Sequence, residues 1–183
     1  MNKLRTWKEG VVRNLTSGLG QLVNKRKIRH IQGTATFLDS HSLAVASNGG
    51  GQIRLDVERI IIASGSKPID LPTLPVDHDR IWNSRTALEL PSIPKRLLVV
   101  GGGYIGLELG SVYAALGSRV TVAEMTPTLL PGVDRDLVRF LQKEITERFE
   151  QILLQTMVSQ VKVQRNGVKV TLQPSEQKST NLM

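Results

Sequence analysis

The sequence contains no cysteine, and this absence excludes several classes of chemistry. Without a thiol the chain cannot form disulphides, bind a metal through thiolates, use a cysteine nucleophile or carry out thiol–disulphide exchange. Aromatic residues are also few, at 4% of the chain. None is interleaved with the densest basic run, Lys25–Lys27 with Arg29 and His30, so no base-stacking platform is indicated. We therefore expect no nucleic-acid partner, although the net charge is +8.

A long apolar run and the apolar core of a signal peptide are also missing. We therefore expect no membrane partner and a cytoplasmic location. Hydrophobic residues make up 40% of the chain and charged residues 22%, which is typical of globular domains. The absence of cysteine excludes thiolate metal sites, and we predict no metal-binding residue.

One glycine-rich stretch organises the rest of the sequence. Four apolar residues, Leu97–Val100, predict a strand buried on both faces, as in a parallel sheet. Gly101, Gly103 and Gly106 follow with the spacing G-x-G-x-x-G and lead into a helical pattern. In dinucleotide-binding folds the first glycine allows a sharp turn and the second admits the pyrophosphate. The third lets the helix approach the sheet.

A second predicted strand supports the same interpretation. Arg119–Ala123 is apolar in alternation and is followed by Glu124. This acid lies about 20 residues after Gly103, where dinucleotide folds place the carboxylate that binds the adenosine ribose. An ordinary βαβ unit with a glycine-rich turn and a surface glutamate is the alternative. Strand, turn, helix, strand and acid together favour a nucleotide site.

The first third of the chain predicts a helix and a small sheet. Apolar residues at intervals of three and four predict an amphipathic helix over residues 3–26, packed on a sheet. A small antiparallel meander is predicted next, followed by the buried strand Arg59–Ala63. The pieces of the meander are Ile28–Ile31, Thr34–Leu38, Ser42–Ala46 and Gln52–Asp56.

Residues 67–94 predict a crossing segment and a domain boundary. They contain five of the eight prolines, at positions 68, 72, 75, 91 and 94, and such a segment is extended. A short helical turn is predicted at Ser84–Leu90.

Beyond Glu124 the pattern continues as α/β. Asp134 is predicted to cap a helix that runs to about Phe149. Its buried face is predicted to hold Leu137, Leu141 and Ile145. A third parallel strand at Ile152–Leu154, a hairpin around 165–167 and a frayed tail complete the prediction.

These stretches together resemble the flavin-dependent pyridine nucleotide-disulphide oxidoreductases, and among them most closely the dihydrolipoamide dehydrogenases. The resemblance rests on Trp7–Val12, Ile60–Pro68, Ser84–Leu90 with Ile93–Lys95, Gly101–Gly110, and Ala115–Ser118 leading to Glu124. It implies an α/β fold with a Rossmann-like NAD-binding domain and the latter part of a flavin-binding domain that carries the meander. The implied boundaries are 1–66 for the flavin part, 67–94 for the crossing segment, 95–172 for an incomplete NAD domain and 173–183 for the frayed tail.

The resemblance also implies roles for residues near the glycine motif. Glu124 matches the acid that selects NAD, because a carboxylate repels the 2′-phosphate of NADP. Tyr104 and Ile105 match residues that line a nicotinamide pocket; otherwise they would be core. Glu108 matches a glutamate near the nicotinamide–flavin contact; otherwise it would be a solvated helix residue.

A second group of implied contacts concerns the flavin. Ala63, Ser64 and Gly65 match the segment that passes near the flavin nucleotide, with serine in place of the usual threonine. The family's own flavin G-x-G-x-x-G motif, its redox cysteine pair and its interface domain with a catalytic histidine have no counterpart here. His30, His41 and His78 match nothing catalytic and are predicted to be surface or turn residues. We predict no catalytic residue.

The implied function is the NAD end of the route from dithiol through flavin to NAD. Full-length relatives are homodimers that serve 2-oxo acid dehydrogenase complexes. Because the cysteines are absent, we expect the chain alone to lack dihydrolipoamide dehydrogenase activity. The alternatives are a catalytically silent NAD-binding module, a non-functional truncated remnant, and a relative of mercuric reductases, which Glu124 disfavours.

Overall fold

The computed structural model describes residues 1–69, 71–76 and 79–175. The chain divides into two compact units, Asn2–Lys67 and a second that begins at Pro68. No helix in the described ranges is long and apolar enough to cross a membrane. The elements in chain order are α1 (Asn2–Lys25), β1 (Gly33–Phe37), β2 (Ser42–Ser47), β3 (Gln52–Asp56), α2 (Ser84–Leu88), β4 (Arg96–Val100), α3 (Tyr104–Ala115), β5 (Arg119–Ala123), α4 (Arg135–Arg148), β6 (Gln151–Leu153), β7 (Thr156–Gln164) and β8 (Gly167–Pro174).

The first unit contains α1 and a three-stranded antiparallel sheet in the order β1-β2-β3. The predicted meander is confirmed, and β3 has the predicted bounds. The prediction of a further strand at Ile28–Ile31 is wrong, since this segment is irregular and Ile28 is exposed. The strands that form are β2 and the two strands that pair with it, β1 and β3.

Helix α1 agrees with the predicted helix to within one residue at each end, but its apolar stripe is not buried. None of its residues is buried, and Trp7, Leu15 and Leu19 are exposed. The prediction that this stripe packs on a sheet is therefore wrong for the described chain. The spacing of apolar residues shows that one face of a helix is apolar, but it does not show which surface packs against that face.

The predicted buried strand Arg59–Ala63 is also wrong. The segment forms no strand, and Ile61 is 91% exposed. A strand of a parallel sheet needs hydrogen-bonding neighbours, and none of the described strands pairs with this segment. Its apolar composition alone does not form a strand.

The second unit is built on a parallel sheet with the order β4-β5-β6. Helix α3 connects β4 to β5, and α4 connects β5 to β6. Leu97 pairs with Val120, and Val122 pairs with Ile152. This arrangement confirms the predicted α/β, Rossmann-like fold. The buried side chains of this unit include Leu107, Tyr113, Val120, Val122, Ile145 and Phe149.

Two burial predictions in this unit need correction. β4 is an edge strand of the described sheet; Leu97–Val99 are half-buried and Val100 is exposed, so the strand is not covered on both faces. On α4 the buried residues are Val138 and Ile145, whereas Leu137 and Leu141 are exposed. Apolar residues occur on more than one face of α4, so the sequence did not determine which face turns inward.

The end of the crossing segment and the hairpin both form regular structure in this unit. Asn83 caps α2, and the Tyr113 hydroxyl donates to the Ala87 carbonyl at 2.9 Å. β7 and β8 form the predicted hairpin around Arg165 and Asn166. Gln173 and Pro174 belong to β8, so the prediction of a frayed tail is wrong at these two positions. The remainder of that prediction, at 176–183, lies outside the described residues, as does His78.

Candidate functional site

The glycine motif lies at the carboxyl end of β4, next to the carboxyl end of β5. The Gly101 N–H donates to the Ala123 carbonyl at 2.8 Å, so the loop stays joined to β5 where β4 ends. Gly101 has a φ of 105°, which favours glycine because a side chain would be strained there. The predicted sharp turn out of the strand is therefore observed.

The carboxylate of Glu124 faces Gly101–Gly103, the glycine loop between β4 and α3. Its Oε2 accepts from the Gly102 N–H at 2.6 Å, and its Oε1 accepts from the Thr126 N–H at 2.7 Å. The residue is only 6% exposed. Two backbone N–H groups therefore fix a buried carboxylate at the end of β5, where charge-assisted hydrogen bonds are strong. No ion pair to Glu124 occurs within the described residues.

The backbone of Glu124 is fixed as firmly as its side chain. Its N–H donates to the Leu153 carbonyl at 2.8 Å, and its own carbonyl accepts from the Thr156 N–H at 2.8 Å. Both bonds join β5 to the chain at the end of β6. The acid is thus held in place by the parallel sheet before any ligand is present.

Gly103 and Gly106 differ in their surroundings. A Cβ on Gly103 would meet nothing within 4 Å. A Cβ on Gly106 would lie 2.5 Å from the Gly101 carbonyl oxygen and 3.0 Å from Val99 Cγ1. Gly106 therefore allows α3 to approach β4, while Gly103 leaves open space above the loop.

Helix α3 begins directly after Gly103, next to this open space. Gly103 is the N-cap residue and, having no side chain, makes no side-chain cap. The first N–H groups of a helix lack intrahelical acceptors, and the helix dipole gives them a partial positive charge. These groups are therefore suited to an anion such as a pyrophosphate.

Three further predicted residues lie on the first turns of α3. Tyr104 is 68% exposed, and Ile105 and Glu108 are exposed as well. Positions three and four apart share one face of a helix, so Glu108 lies beside both Tyr104 and Ile105. Two large apolar side chains and a carboxylate thus share a solvent-facing surface next to Gly103.

The loop after Glu124 contributes residues that the sequence analysis missed. The Leu130 N–H donates to the Gly102 carbonyl at 3.0 Å, and Leu129 is fully buried. A Cβ on Gly102 would lie 2.5 Å from Leu129 Cδ2 and 3.2 Å from Glu124 Cβ. The middle glycine of Gly101–Gly103 therefore also matters, although it lies outside the spacing of the motif. An apolar pair within a loop rich in proline and threonine was the available signal for Leu129 and Leu130.

The predicted flavin contacts lie in the first unit. Ala63, Ser64 and Gly65 belong to the unit Asn2–Lys67, where they are exposed and lie outside any helix or strand. His30 and His41 are exposed, as predicted. No group of three or more histidine or acidic residues that could hold a metal occurs in the described part of the chain.

Comparison with known sequences identifies relatives over nearly the whole chain. The profile of the family described as pyridine nucleotide-disulphide oxidoreductase matches residues 2–182. Dihydrolipoyl dehydrogenase of Haemophilus influenzae is 40% identical over 173 residues, which are 94% of this chain and 36% of that protein. Dihydrolipoyl dehydrogenase of Buchnera aphidicola from Schizaphis graminum is 41% identical over 180 residues, or 97% of this chain and 37% of that protein.

Comparison with solved structures gives the same picture for the fold. LpdA from Mycobacterium tuberculosis has a TM-score of 0.84 at 23% identity and is matched over 95% of this chain and 39% of its own. The HOCl-induced flavoprotein disulphide reductase RclA from Escherichia coli has a TM-score of 0.76 at 30% identity, over 91% of this chain and 38% of its own. The chain spans little more than a third of the length of these relatives.

Proposed function

The chain belongs to the pyridine nucleotide-disulphide oxidoreductase family, and from this premise we propose that its Gly101–Glu124 unit binds NAD(H). The family is a class of oxidoreductases that depend on flavin and pyridine nucleotide. The observation that carries the proposal is the buried Glu124 carboxylate, held at the glycine loop beside the uncapped start of α3. The residues around Gly101–Glu124 would bind and orient NAD(H), which would supply hydride-transfer chemistry at its nicotinamide.

The pyrophosphate is proposed to lie over Gly103. Open space at this residue allows close approach to the backbone, since no atom lies within 4 Å of a Cβ built there. The first N–H groups of α3 then donate to the phosphate oxygens. Both features require glycine at the N-cap, because a side-chain cap would compete for the same donors.

The adenosine ribose is proposed to bind to Glu124. An ionised carboxylate offers about four lone-pair sites, and two of the Glu124 sites accept from Gly102 and Thr126. The others are available to the two ribose hydroxyls of NAD. The 2′-phosphate of NADP would instead bring negative charge against a buried carboxylate without an ion-pair partner among the described residues, which is unfavourable.

The nicotinamide side of the site is proposed to use the exposed face of α3. Tyr104 and Ile105 supply apolar surface, and Glu108 supplies a carboxylate one turn further along. Burial of Tyr104 and Ile105 beneath a ring would remove apolar area from water, which is favourable. This role would explain two large exposed apolar residues beside a polar loop.

The wider role remains a proposal from the family. We propose that the chain represents the NAD end of the electron route of dihydrolipoamide dehydrogenases, with residues 1–66 as the flavin part and 95–172 as the NAD part. Flavin contacts at Ala63, Ser64 and Gly65, a homodimer, service to 2-oxo acid dehydrogenase complexes and a cytoplasmic location stay predictions. A catalytically silent NAD-binding module is the second candidate.

Replacement of Gly103 by alanine tests the proposed pyrophosphate position. The change should leave the free energy of unfolding within about 1 kcal/mol, because the new methyl group meets no neighbour. The affinity for NADH, measured by fluorescence titration, should fall by about ten-fold or more, because the methyl group would occupy the position proposed for the pyrophosphate.

The matched control is Gly167→Ala in the hairpin of the same unit, where a Cβ also meets nothing within 4 Å. This control should bind NADH as tightly as the unaltered chain. Equal affinity of Gly103→Ala and Gly167→Ala for NADH would contradict the proposed pyrophosphate site.

A further inference from the structure

The loop that follows Glu124 is tied to a single arginine at the start of α4. The Arg135 guanidinium donates through Nη1 to the Leu129 carbonyl at 3.0 Å and through Nη2 to the Leu130 carbonyl at 2.7 Å. It also donates to the Val133 carbonyl from Nη2 at 2.7 Å and from Nε at 3.1 Å. One planar side chain therefore joins three carbonyl groups of the same loop, as the fork of guanidinium donors allows.

The position of Arg135 is not explained by the helix that it begins. A positive charge at a helix N-terminus opposes the helix dipole and is unfavourable there. The capping role belongs to Asp134, whose side chain accepts from the Asp136 N–H at 3.1 Å. The hydrogen bonds of Arg135 are directed to the preceding loop.

The carbonyls that Arg135 binds belong to the residues that contact the glycine loop. Leu130 donates its N–H to the Gly102 carbonyl at 3.0 Å. The side chain of Leu129 is fully buried against Gly102. The Gly102 N–H in turn donates to Glu124 at 2.6 Å. A continuous series of contacts therefore leads from the guanidinium to the carboxylate.

We propose that Arg135 is a positioning residue for the dinucleotide site. It holds Leu129 and Leu130 against Gly102, and so keeps the glycine loop and Glu124 in the geometry that NAD(H) meets. This inference rests on the proposed NAD(H) function and adds a residue outside the glycine motif to it. Arg135 acts through the loop and needs no contact of its own with the nucleotide.

The test compares Arg135→Ala with Arg139→Ala in the full chain. Arg139 is a matched control, because it is an exposed arginine on the same helix and pairs with Asp136. Hydrogen exchange of the Gly102 and Leu130 amides is measured by NMR, and NADH binding by fluorescence. We expect Arg135→Ala to exchange both amides at least about ten-fold faster and to raise the Kd for NADH about ten-fold, with neither change in Arg139→Ala.

An Arg135→Lys variant separates geometry from charge and serves if Arg135→Ala does not fold. A single ammonium group keeps the charge but lacks the planar fork that joins three carbonyls. We expect it to show faster exchange at both amides and weaker NADH binding than the unaltered chain. Unchanged exchange and affinity in Arg135→Lys would overturn the positioning role.

Two further outcomes separate this inference from the proposed function. If the unaltered chain binds NADH, the inference is overturned by either of two results for Arg135→Ala. One is unchanged amide exchange, and the other is faster exchange with an unchanged Kd for NADH. A failure of the unaltered chain to bind NADH instead refutes the proposed function, and the cofactor role of Arg135 with it.

Discussion

Glu124→Ala is expected to abolish measurable preference for NADH and to destabilise the second unit. The change removes the acceptor of the Gly102 N–H, which follows β4, and of the Thr126 N–H, which follows β5. A buried donor left without a partner costs about 1–3 kcal/mol. Loss of the ribose contact should weaken NADH binding by at least about 100-fold, as for loss of two charge-assisted hydrogen bonds. Denaturant unfolding and NADH titration measure the two effects separately.

Glu124→Gln and Glu147→Ala complete this experiment. Glutamine keeps the size of the side chain but removes its charge, so the preference for NADH over NADPH should fall by about ten-fold or more. Glu147 is an exposed glutamate on α4, and its replacement should change neither stability nor binding. Retention of the NADH preference in Glu124→Gln would show that the carboxylate charge does not select the cofactor.

Gly106→Ala is expected to give a much larger loss of stability than Gly103→Ala in the same motif. Its Cβ would lie 2.5 Å from the Gly101 carbonyl oxygen and 3.0 Å from Val99 Cγ1. Since the first of these atoms belongs to the backbone, α3 and β4 would have to move apart. We expect the free energy of unfolding to fall by roughly 3 kcal/mol. Denaturant unfolding measures this loss.

The control for Gly106→Ala is the same substitution at Gly103. Both glycines belong to one motif and lie at the start of α3, but only Gly106 is in close contact with β4. Gly103→Ala should therefore lose binding with little loss of stability, and Gly106→Ala should lose both. Equal stability of the two variants would mean that α3 does not depend on the close approach at Gly106.

The sequence predicted best the features that depend on neighbouring residues along the chain. β5 and β3 have their predicted bounds, and the resemblance to the family is confirmed. Arg59–Ala63 failed because a strand requires a partner that its own residues cannot provide. The burial of Leu137 was predicted wrongly because several faces of α4 are apolar, so the contact with the rest of the unit selects the face.

In the candidate site, too, contacts set by adjacent strands could be predicted from the sequence, and contacts made by an irregular loop could not. The structure brings Gly101 and Glu124 together because β4 and β5 are adjacent parallel strands, whose carboxyl ends meet at one edge. Sequence spacing carries that information. Leu129 and Arg135 could not be assigned in this way, since their contacts depend on how an irregular loop folds back onto Gly102.

A titration of the unaltered chain with NADH and, separately, with NADPH tests the central claim most directly. The account predicts saturable fluorescence changes with NADH and affinity for NADPH lower by about ten-fold or more, because the 2′-phosphate meets the Glu124 carboxylate. The same chain should unfold in a single cooperative transition when it is denatured. A chain that unfolds cooperatively but binds neither nucleotide, or that binds both equally, would contradict the assignment of Gly101–Glu124 as an NAD-selective site.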